Sequence, residues 1–493
     1  MHLKIFNTLK HSVEDFKPSD KHKVKLYTCG PTVYNHVHIG NLRSYINADV
    51  LKRALEFNGY AVDWVMNVTD VDDKTINNTI KEFGKEASVA ELKTFTSKYF
   101  ATFLEDLEKI NINQKDISFV KVTEKIADIQ DFIMALIKKG YAYKTEDGST
   151  YFSIEKYQKD FGDYGNLVGE KFLEGRKIGA RVKVDEYDKE NLSDFALWKA
   201  HEQDNANIFW EHQDLGPGHP GWHIECSLIN YLKFPEGTDI HTGGVDLIFP
   251  HHTNEIAQAQ PIYKPFVNYW VHSEHIMVNG SKMAKSAGNF YVLKDLTEEK
   301  IADGLSLRYL VLQSHYRSPL NVTKESLLAA KNGYENIVKE IAALKNRLQD
   351  FDPNVGVVSD MYFEKFKDAL NDDINTPEAL TIFHKLLESK LPDDEKLQTI
   401  YKMDEVLGLN LETVKTTLVA TITGLETMNP PTSTLNQTSF SSELNALINE
   451  YVKQKRIKNY TVSDEIRKKI NELGYSIEDS LTNIKIYKKT RED

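Results

Sequence analysis

Two cysteines in 493 residues leave no room for a disulfide framework, and a reducing compartment is the expected setting. No run of about 18 apolar residues occurs, so no membrane span is expected. The N-terminus, Met1-His2-Leu3-Lys4-Ile5-Phe6-Asn7, lacks an apolar core segment and does not read as a secretion signal. Positive charge is in deficit: 61 Lys and Arg stand against 73 Asp and Glu, a net charge of −12. That excludes a protein that coats nucleic acid through bulk charge, but not one with a local basic face. No Gly-Lys followed by Ser or Thr is present, so the P-loop class of phosphate chemistry is not indicated. No internal repeat of fixed period is found. What remains is an ordinary globular composition, 41% hydrophobic and 27% charged, long enough for two to four domains.

The pattern of elements is legible near the start. Val24-Lys25-Leu26-Tyr27 reads as a strand. Leu42, Ile46, Val50 and Ala54 then recur at fourfold spacing, with Phe57 closing the face, and Gly59 falls where a helix ends. Val62, Trp64, Met66 and Val68 alternate as a second strand. Strand, helix, strand is a βαβ unit, and the loop after its first strand opens at the carboxyl edge of a parallel sheet, where open α/β folds bind ligands. The expected fold is α/β, a Rossmann-like parallel-sheet catalytic domain with a connective insertion, then an α-helical bundle and a small C-terminal module. The boundaries read as 1–84 and 205–320 for the two halves of the catalytic domain, 85–204 for the insertion, and 321–428 for the helical bundle. A linker, 429–439, and a module, 440–493, complete the chain. In the bundle, Leu327, Tyr334, Ile337, Ile341, Leu344 and Leu348 follow helical spacing behind Thr323 as N-cap.

Three constellations carry chemistry. His38-Ile39-Gly40-Asn41 opens the first helix, whose free N–H groups suit phosphate. There Gly40 lets a base or ribose approach the backbone, and His38 can donate to phosphate oxygens. A loop histidine before an ordinary helix is the plainer meaning of these residues. Ser281-Lys282-Met283-Ala284-Lys285-Ser286 puts two cations among small residues, fit to close on a triphosphate, although a solvated basic turn has the same composition. Phe249-Pro250-His251-His252-Thr253-Asn254-Glu255 puts Pro250 in the first turn of a helix, with His251 and Glu255 at i and i+4 on one face. With the only two thiols, Cys29 and Cys226, they make a set of sulfur, nitrogen and oxygen donors that zinc accepts. On spacing alone, both cysteines read equally as buried small hydrophobes.

In this order, these segments resemble the class I aminoacyl-tRNA synthetases, and among them the cysteinyl-tRNA synthetases. His38-Ile39-Gly40-Asn41 is similar to the HIGH signature and Lys282-Met283-Ala284-Lys285-Ser286 to KMSKS. Asn41 stands in place of the second signature histidine, and Ala284 in place of the central serine. Cys29 to Tyr34, Asn67 to Lys74, Gly221 to Ser227, His241 to Leu247 and Phe249 to Glu255 resemble the cysteine-specific members. Asn371 to Pro377 resembles their helical domain, and Lys458 to Asp479 their C-terminal tail. The resemblance implies a cysteine–tRNA ligase working through a cysteinyl-adenylate. It implies one zinc ion held by Cys29, Cys226, His251 and Glu255, and Mg2+ accompanying ATP. His38, Asn41, Lys282 and Lys285 are implied as catalytic, and the same four with Gly40 as ATP-binding. Thr69, Trp222, His223, His241 and Asp246 are implied as the amino-acid pocket. Partners would be cysteine, ATP and tRNA(Cys), for a cytoplasmic monomer that binds no membrane. Two rivals are a ligase joining cysteine to an amino sugar with the same catalytic half, and an inactive paralogue that binds RNA or senses zinc.

Overall fold

The computed structural model describes residues 2–162, 164–169, 177–182, 191–283, 290–348, 356–414, 418–423, 433–435, 441–479 and 483–488. They fall into two compact units, one of 1–334, 360–388 and 402–409, the other of 335–359, 389–401 and 410–493.

The first unit is built on a five-stranded sheet. Its strands are β1 (Lys23–Thr28), β2 (Ala61–Val68), β3 (Ile117–Lys121), β4 (Thr238–Gly244) and β5 (Val267–Ser273), in the order β5-β4-β1-β2-β3. Every pairing in it is parallel. Helix α1 (Ile39–Phe57) joins β1 to β2 and buries the predicted face, Leu42, Ile46, Val50 and Ala54. Gly59 takes φ +90, a conformation open to glycine at little cost. The strand order reverses between β1 and β4, and the carboxyl ends there form the crevice in which such sheets bind ligands.

Two boundaries differ from the sequence reading. β3 lies inside 85–204, so the parallel sheet extends into the stretch assigned to the insertion. Between residues 142 and 220 the chain builds a second sheet, of Ala142–Lys144, Thr150–Phe152, Asn191–Ala200 and Gly218–Pro220, with Lys177–Val182 against Asn191–Ala200. Its Phe152, Phe195 and Trp198 belong to the same apolar cluster as Tyr27 and Val65 of the parallel sheet. The inserted sheet therefore shares a core with the catalytic one, and its composition alone could not reveal that.

A small third sheet pairs Ile276–Val278 with Leu320–Val322 and with Ser281–Lys282. Helix Lys324–Arg347 follows, and Thr323 Oγ1 accepts from the Ser326 N–H as the expected cap. The sequence also puts Asp352-Pro353-Asn354 as the stop of this helix, and those residues lie outside the described ones.

In the second unit, Ser442–Arg456 and Tyr460–Glu472 pack through Leu444, Ile448, Tyr451, Ile466 and Ile470. Their sheet runs Ser433–Leu435, Leu418–Thr423, Asn483–Lys488, Tyr475–Asp479. The stretch 429–439, read as a linker, thus supplies a strand. Ser-, Thr- and Pro-rich composition marked the turn but could not show the pairing partner.

Arg308 is fully buried in the first unit. It donates to the Leu407 carbonyl at 2.6 Å, the Ile110 carbonyl at 3.0 Å and Asp49 at 2.6 Å. Arg308→Met removes three donors and leaves Asp49 with Arg53 alone. Urea unfolding of the variant is expected to show a loss of about 3 kcal/mol.

Candidate active site

The site grows from the end of β1. The Cys29 N–H donates to the Thr242 carbonyl at 3.1 Å, tying the loop to the end of β4. The next N–H, of Gly30, donates to Asn67 Oδ1 at 2.7 Å at the end of β2. A Cβ at position 30 would overlap the Asn67 carbonyl, so only glycine lets the chain turn there and aim Cys29 inward. Helix α2 (Trp222–Lys233) brings Cys226 from the other side, with the residue 1% exposed.

The third approach differs from the expected helix start. Pro250 follows a cis peptide, Phe249 is extended (φ −136, ψ 130), and Ile248–His252 form a wide π-type turn. Helix α3 (Thr253–Ala259) begins only afterwards. The i, i+4 relation survives this: His251 Nε2 lies 3.1 Å from Glu255 Oε1.

The donor atoms of Cys29, Cys226, His251 and Glu255 all fall within 4.8 Å of one another, and all four residues are buried. The sulfurs are 3.9 Å apart, and Cys29 Sγ is 3.8 Å from Glu255 Oε1. A second group, Cys29, His241, His252 and Glu255, meets the same limit. Electrostatics favour a cation here. Burial pushes the Cys29 thiol up. Burial also works to raise the Cys226 thiol, but the hydrogen bond with Cys29 and the nearby His251 bring it down to about 6. Against the pull of burial, Cys226 and Glu255 hold the His251 imidazole up at about 10. Desolvation opposes ionisation of Glu255, yet His241 and His251 hold its carboxyl down at about 2. Anionic donors gathered out of water need a compensating cation, and the sulfur, nitrogen and oxygen donors present fit a borderline-soft divalent ion.

Outside the donors stands a layer that the sequence reading placed on the pocket surface. Thr69 donates to Glu225 at 2.6 Å, His223 Nδ1 meets His251 Nδ1 at 3.0 Å, and His241 Nε2 meets Glu255 Oε2 at 3.0 Å. Each is buried, and none of the three lines the cleft. The reading missed His252, whose Nε2 lies 3.2 Å from Cys29 Sγ. Its Nδ1 meets His272 at 2.8 Å, and His272 meets Thr8 at 2.7 Å. The doubled His251-His252 was its only signal.

A cleft of about 330 Å³ opens from this cluster along the sheet edge. Cys29, Trp222 and His251 floor one end, and His38, Gly40, Asn41, Met283 and Phe290 line the other, with Asp246 also in the wall. Trp222 stacks on His251 with centroids 4.4 Å apart.

The comparisons agree with this architecture. The family described as tRNA synthetases class I (C) catalytic domain matches residues 15–332, and the DALR domain matches 365–389. A cysteine–tRNA ligase of Chlamydia muridarum is 38% identical over 512 residues, covering 99% of this chain and 100% of the relative. One from Brachyspira hyodysenteriae is 38% identical over 485 residues, covering 97% and 98%. The chain belongs to the cysteine–tRNA ligase family. Among solved structures, a Mycobacterium tuberculosis methionyl-tRNA synthetase bound by methionyl-adenylate shares the fold at TM-score 0.54 and 15% identity. It covers 80% of this chain and 90% of its own.

The signature segments of this class I synthetase can now be placed. His38 caps α1, its Nδ1 accepting from the Asn41 N–H at 3.2 Å. A Cβ on Gly40 would come within 2.8 Å of His38 Nδ1. The missing side chain therefore makes room for the histidine ring, a nearer reason for glycine than the approach of a base. The Lys282 backbone pairs with Met277; Lys285 lies outside the described residues. Met283 and Phe290, on either side of that segment, both reach the cleft.

Gly30→Ala is expected to destabilise the fold by about 2 kcal/mol or more, because the loop must shift away from Asn67. Thermal unfolding checks it against Gly280→Ala, where a Cβ would meet nothing within 4 Å and any loss comes from the positive φ of +77 alone.

Proposed function

We propose that this chain activates cysteine with ATP and transfers it to tRNA(Cys). The observation that carries the reading is a buried cluster of two thiols, an imidazole and a carboxylate that opens directly onto a cleft at a helix N-terminus. Zinc held by Cys29, Cys226, His251 and Glu255 would supply a soft Lewis acid at the cleft floor, suited to a thiolate. Serine has cysteine's shape, so an apolar wall separates the two only weakly. A site that selects for an ionised sulfur needs no second, hydrolytic sieve.

The protein's own groups then divide the work. His223 behind His251 and His241 behind Glu255 fix the orientation of two of the four donors. Trp222 walls the amino-acid end, and Asp246 offers a carboxylate to the ammonium group. In the first step the cysteine carboxylate attacks the α-phosphorus of Mg-ATP, and the bond to the bridging oxygen breaks to release pyrophosphate. His38, Asn41, Lys282 and Lys285 stabilise the charge that develops there, assisted by the N-terminus of α1. In the second step the terminal ribose hydroxyl of the tRNA attacks the activated carbonyl, releasing AMP and a proton. The helical region and the C-terminal module would grip the tRNA. In that module Lys455 and Arg467 are already tied to Asp479, so the other cations of its cluster, Lys453, Arg456, Lys458, Lys468, Lys469, Lys485, Lys488 and Lys489, would meet the phosphates. Such a role places the enzyme in the cytoplasm, where it acts as a monomer.

Cysteine-dependent ATP–pyrophosphate exchange tests the reading, with serine giving a rate about a thousandfold or more lower. Equal rates would sink it. Cys226→Ser should lower bound zinc from about one ion per chain to about a tenth, measured by mass spectrometry of the metal. Lys285→Ala should cut exchange by about a thousandfold while zinc content stays unchanged.

A further inference from the structure

Arg43 lies two residues beyond Asn41 on α1 and is 1% exposed. Among the described residues no carboxylate is in ion-pair contact with it, and the Glu274 charge acts on it only from further off. One terminal nitrogen donates to the carbonyls of Glu274 and His275, both at 2.8 Å. The other donates to the carbonyls of His315 at 3.2 Å and Ser318 at 2.5 Å. Nε has no partner. The carbonyls of Glu274 and His275 immediately precede the strand Ile276–Val278, and those of His315 and Ser318 lie in the turn that leads into its parallel partner, Leu320–Val322. The same roots are stitched together by Glu274 N–H to the Tyr316 carbonyl and Leu320 N–H to the His275 carbonyl. Ile276–Val278 in turn carries the backbone of Ser281–Lys282. Glu274, His275 and Ile276 line the same cleft as His38 and Asn41.

We propose that Arg43 is a positioning residue for adenylate formation, setting the distance between the helix N-terminus at His38–Asn41 and the cleft lining at 274–276. Its kinetic part rests on the function proposed above. A buried guanidinium held by carbonyl dipoles, with the Glu274 carboxylate acting on it from further off, is an expensive way to fill space. What an apolar side chain cannot do is fix four carbonyls at once. A planar fork with five donors can, and lysine, a point donor, cannot. The grip also reaches outward. Asp373, of Asn371-Asp372-Asp373-Ile374, accepts from Tyr316 at 2.6 Å and from Arg317 Nε at 2.7 Å. The turn 315–318 is therefore held by Arg43 on one side and Asp373 on the other.

The test uses the full chain with Arg43→Lys and Arg43→Ala. Rates are normalised to the concentration of active sites. In Arg43→Lys, kcat for cysteine-dependent exchange should fall about 100-fold, with KM for cysteine within about threefold of the parent and zinc content unchanged. Amide hydrogen exchange should accelerate about tenfold or more in 274–282 and 315–322, while α2 and α3 keep their protection. Low millimolar guanidinium should restore part of the rate of Arg43→Ala. The proposal is overturned if kcat per active site stays within about threefold of the parent. It is overturned equally if the faster amide exchange spreads evenly over the parallel sheet, the mark of a residue needed only for stability. If Arg43→Ala does not fold, Arg43→Lys decides alone. If the unsubstituted chain shows no cysteine-dependent exchange, the functional reading fails, and the pattern of amide protection judges the joint.

Discussion

Glu255 is a carboxylate with no exposed surface, and the site is organised around the need to compensate it. His241 and His251 approach its two oxygens at 3.0 and 3.1 Å, and His252 and Cys29 stand 3.8 Å away. Burying such a charge without partners costs several kcal/mol, so the chain must deliver these groups from separate elements to one point. β1 supplies Cys29, β4 supplies His241, α2 supplies Cys226 and the turn before α3 supplies both histidines. The adjacency of β1 and β4 at the reversal of strand order is what makes this convergence possible.

That requirement explains local features that would otherwise look incidental. Glycine stands at 243 because a Cβ would come within 2.7 Å of the His252 ring. Glycine at 30 lets the loop pass Asn67. The wide turn at 248–252 presents two consecutive histidines inward, which a regular helix would not do, since neighbours on a helix are about 100° apart. His251 meets Glu255 and His223, while His252 meets Cys29 and His272. The sequence wrote both histidines, but only the backbone decides that both are used.

How much could be read from residues alone follows the same division. The βαβ start was legible because periodicity reports which face is buried, and α1 buries that face. Spacing offered Cys29, Cys226, His251 and Glu255 as one of two readings, and the structure brings the four together because i, i+4 survives a change of helix type. The layer behind them was not legible as such. Thr69, His223 and His241 were picked out by resemblance as pocket residues, and the structure buries them against Glu225, His251 and Glu255. Nothing in a linear pattern separates a residue that touches a ligand from one that touches the ligand's holder. β3 was absorbed into the insertion for a related reason. A five-residue strand, Ile117–Lys121, carries too little pattern to declare which sheet it joins, and its parallel register with β2 exists only in three dimensions. Arg43 and Arg308 carried no signal, because an arginine in a helix ordinarily marks the solvent face.

Those two arginines bear on how α1 holds its place. The helix is gripped at three levels: by Arg43 to carbonyls near its start, by Asn47 to Ser273 Oγ at 3.0 Å, and by Asp49 to Arg308. Its apolar face, Leu42 to Ala54, supplies burial but little direction, since apolar contacts lose little when a helix slides or turns slightly. Hydrogen bonds weaken steeply with angle and distance. In the function proposed, the N-terminus of α1 meets a phosphate in the same cleft that the donor cluster floors. A sub-ångström slip of the helix would uncouple the two. Directional contacts inside the core resist that slip in a way that hydrophobic burial alone does not, which gives the buried charges of α1 a mechanical purpose beyond their modest net stability.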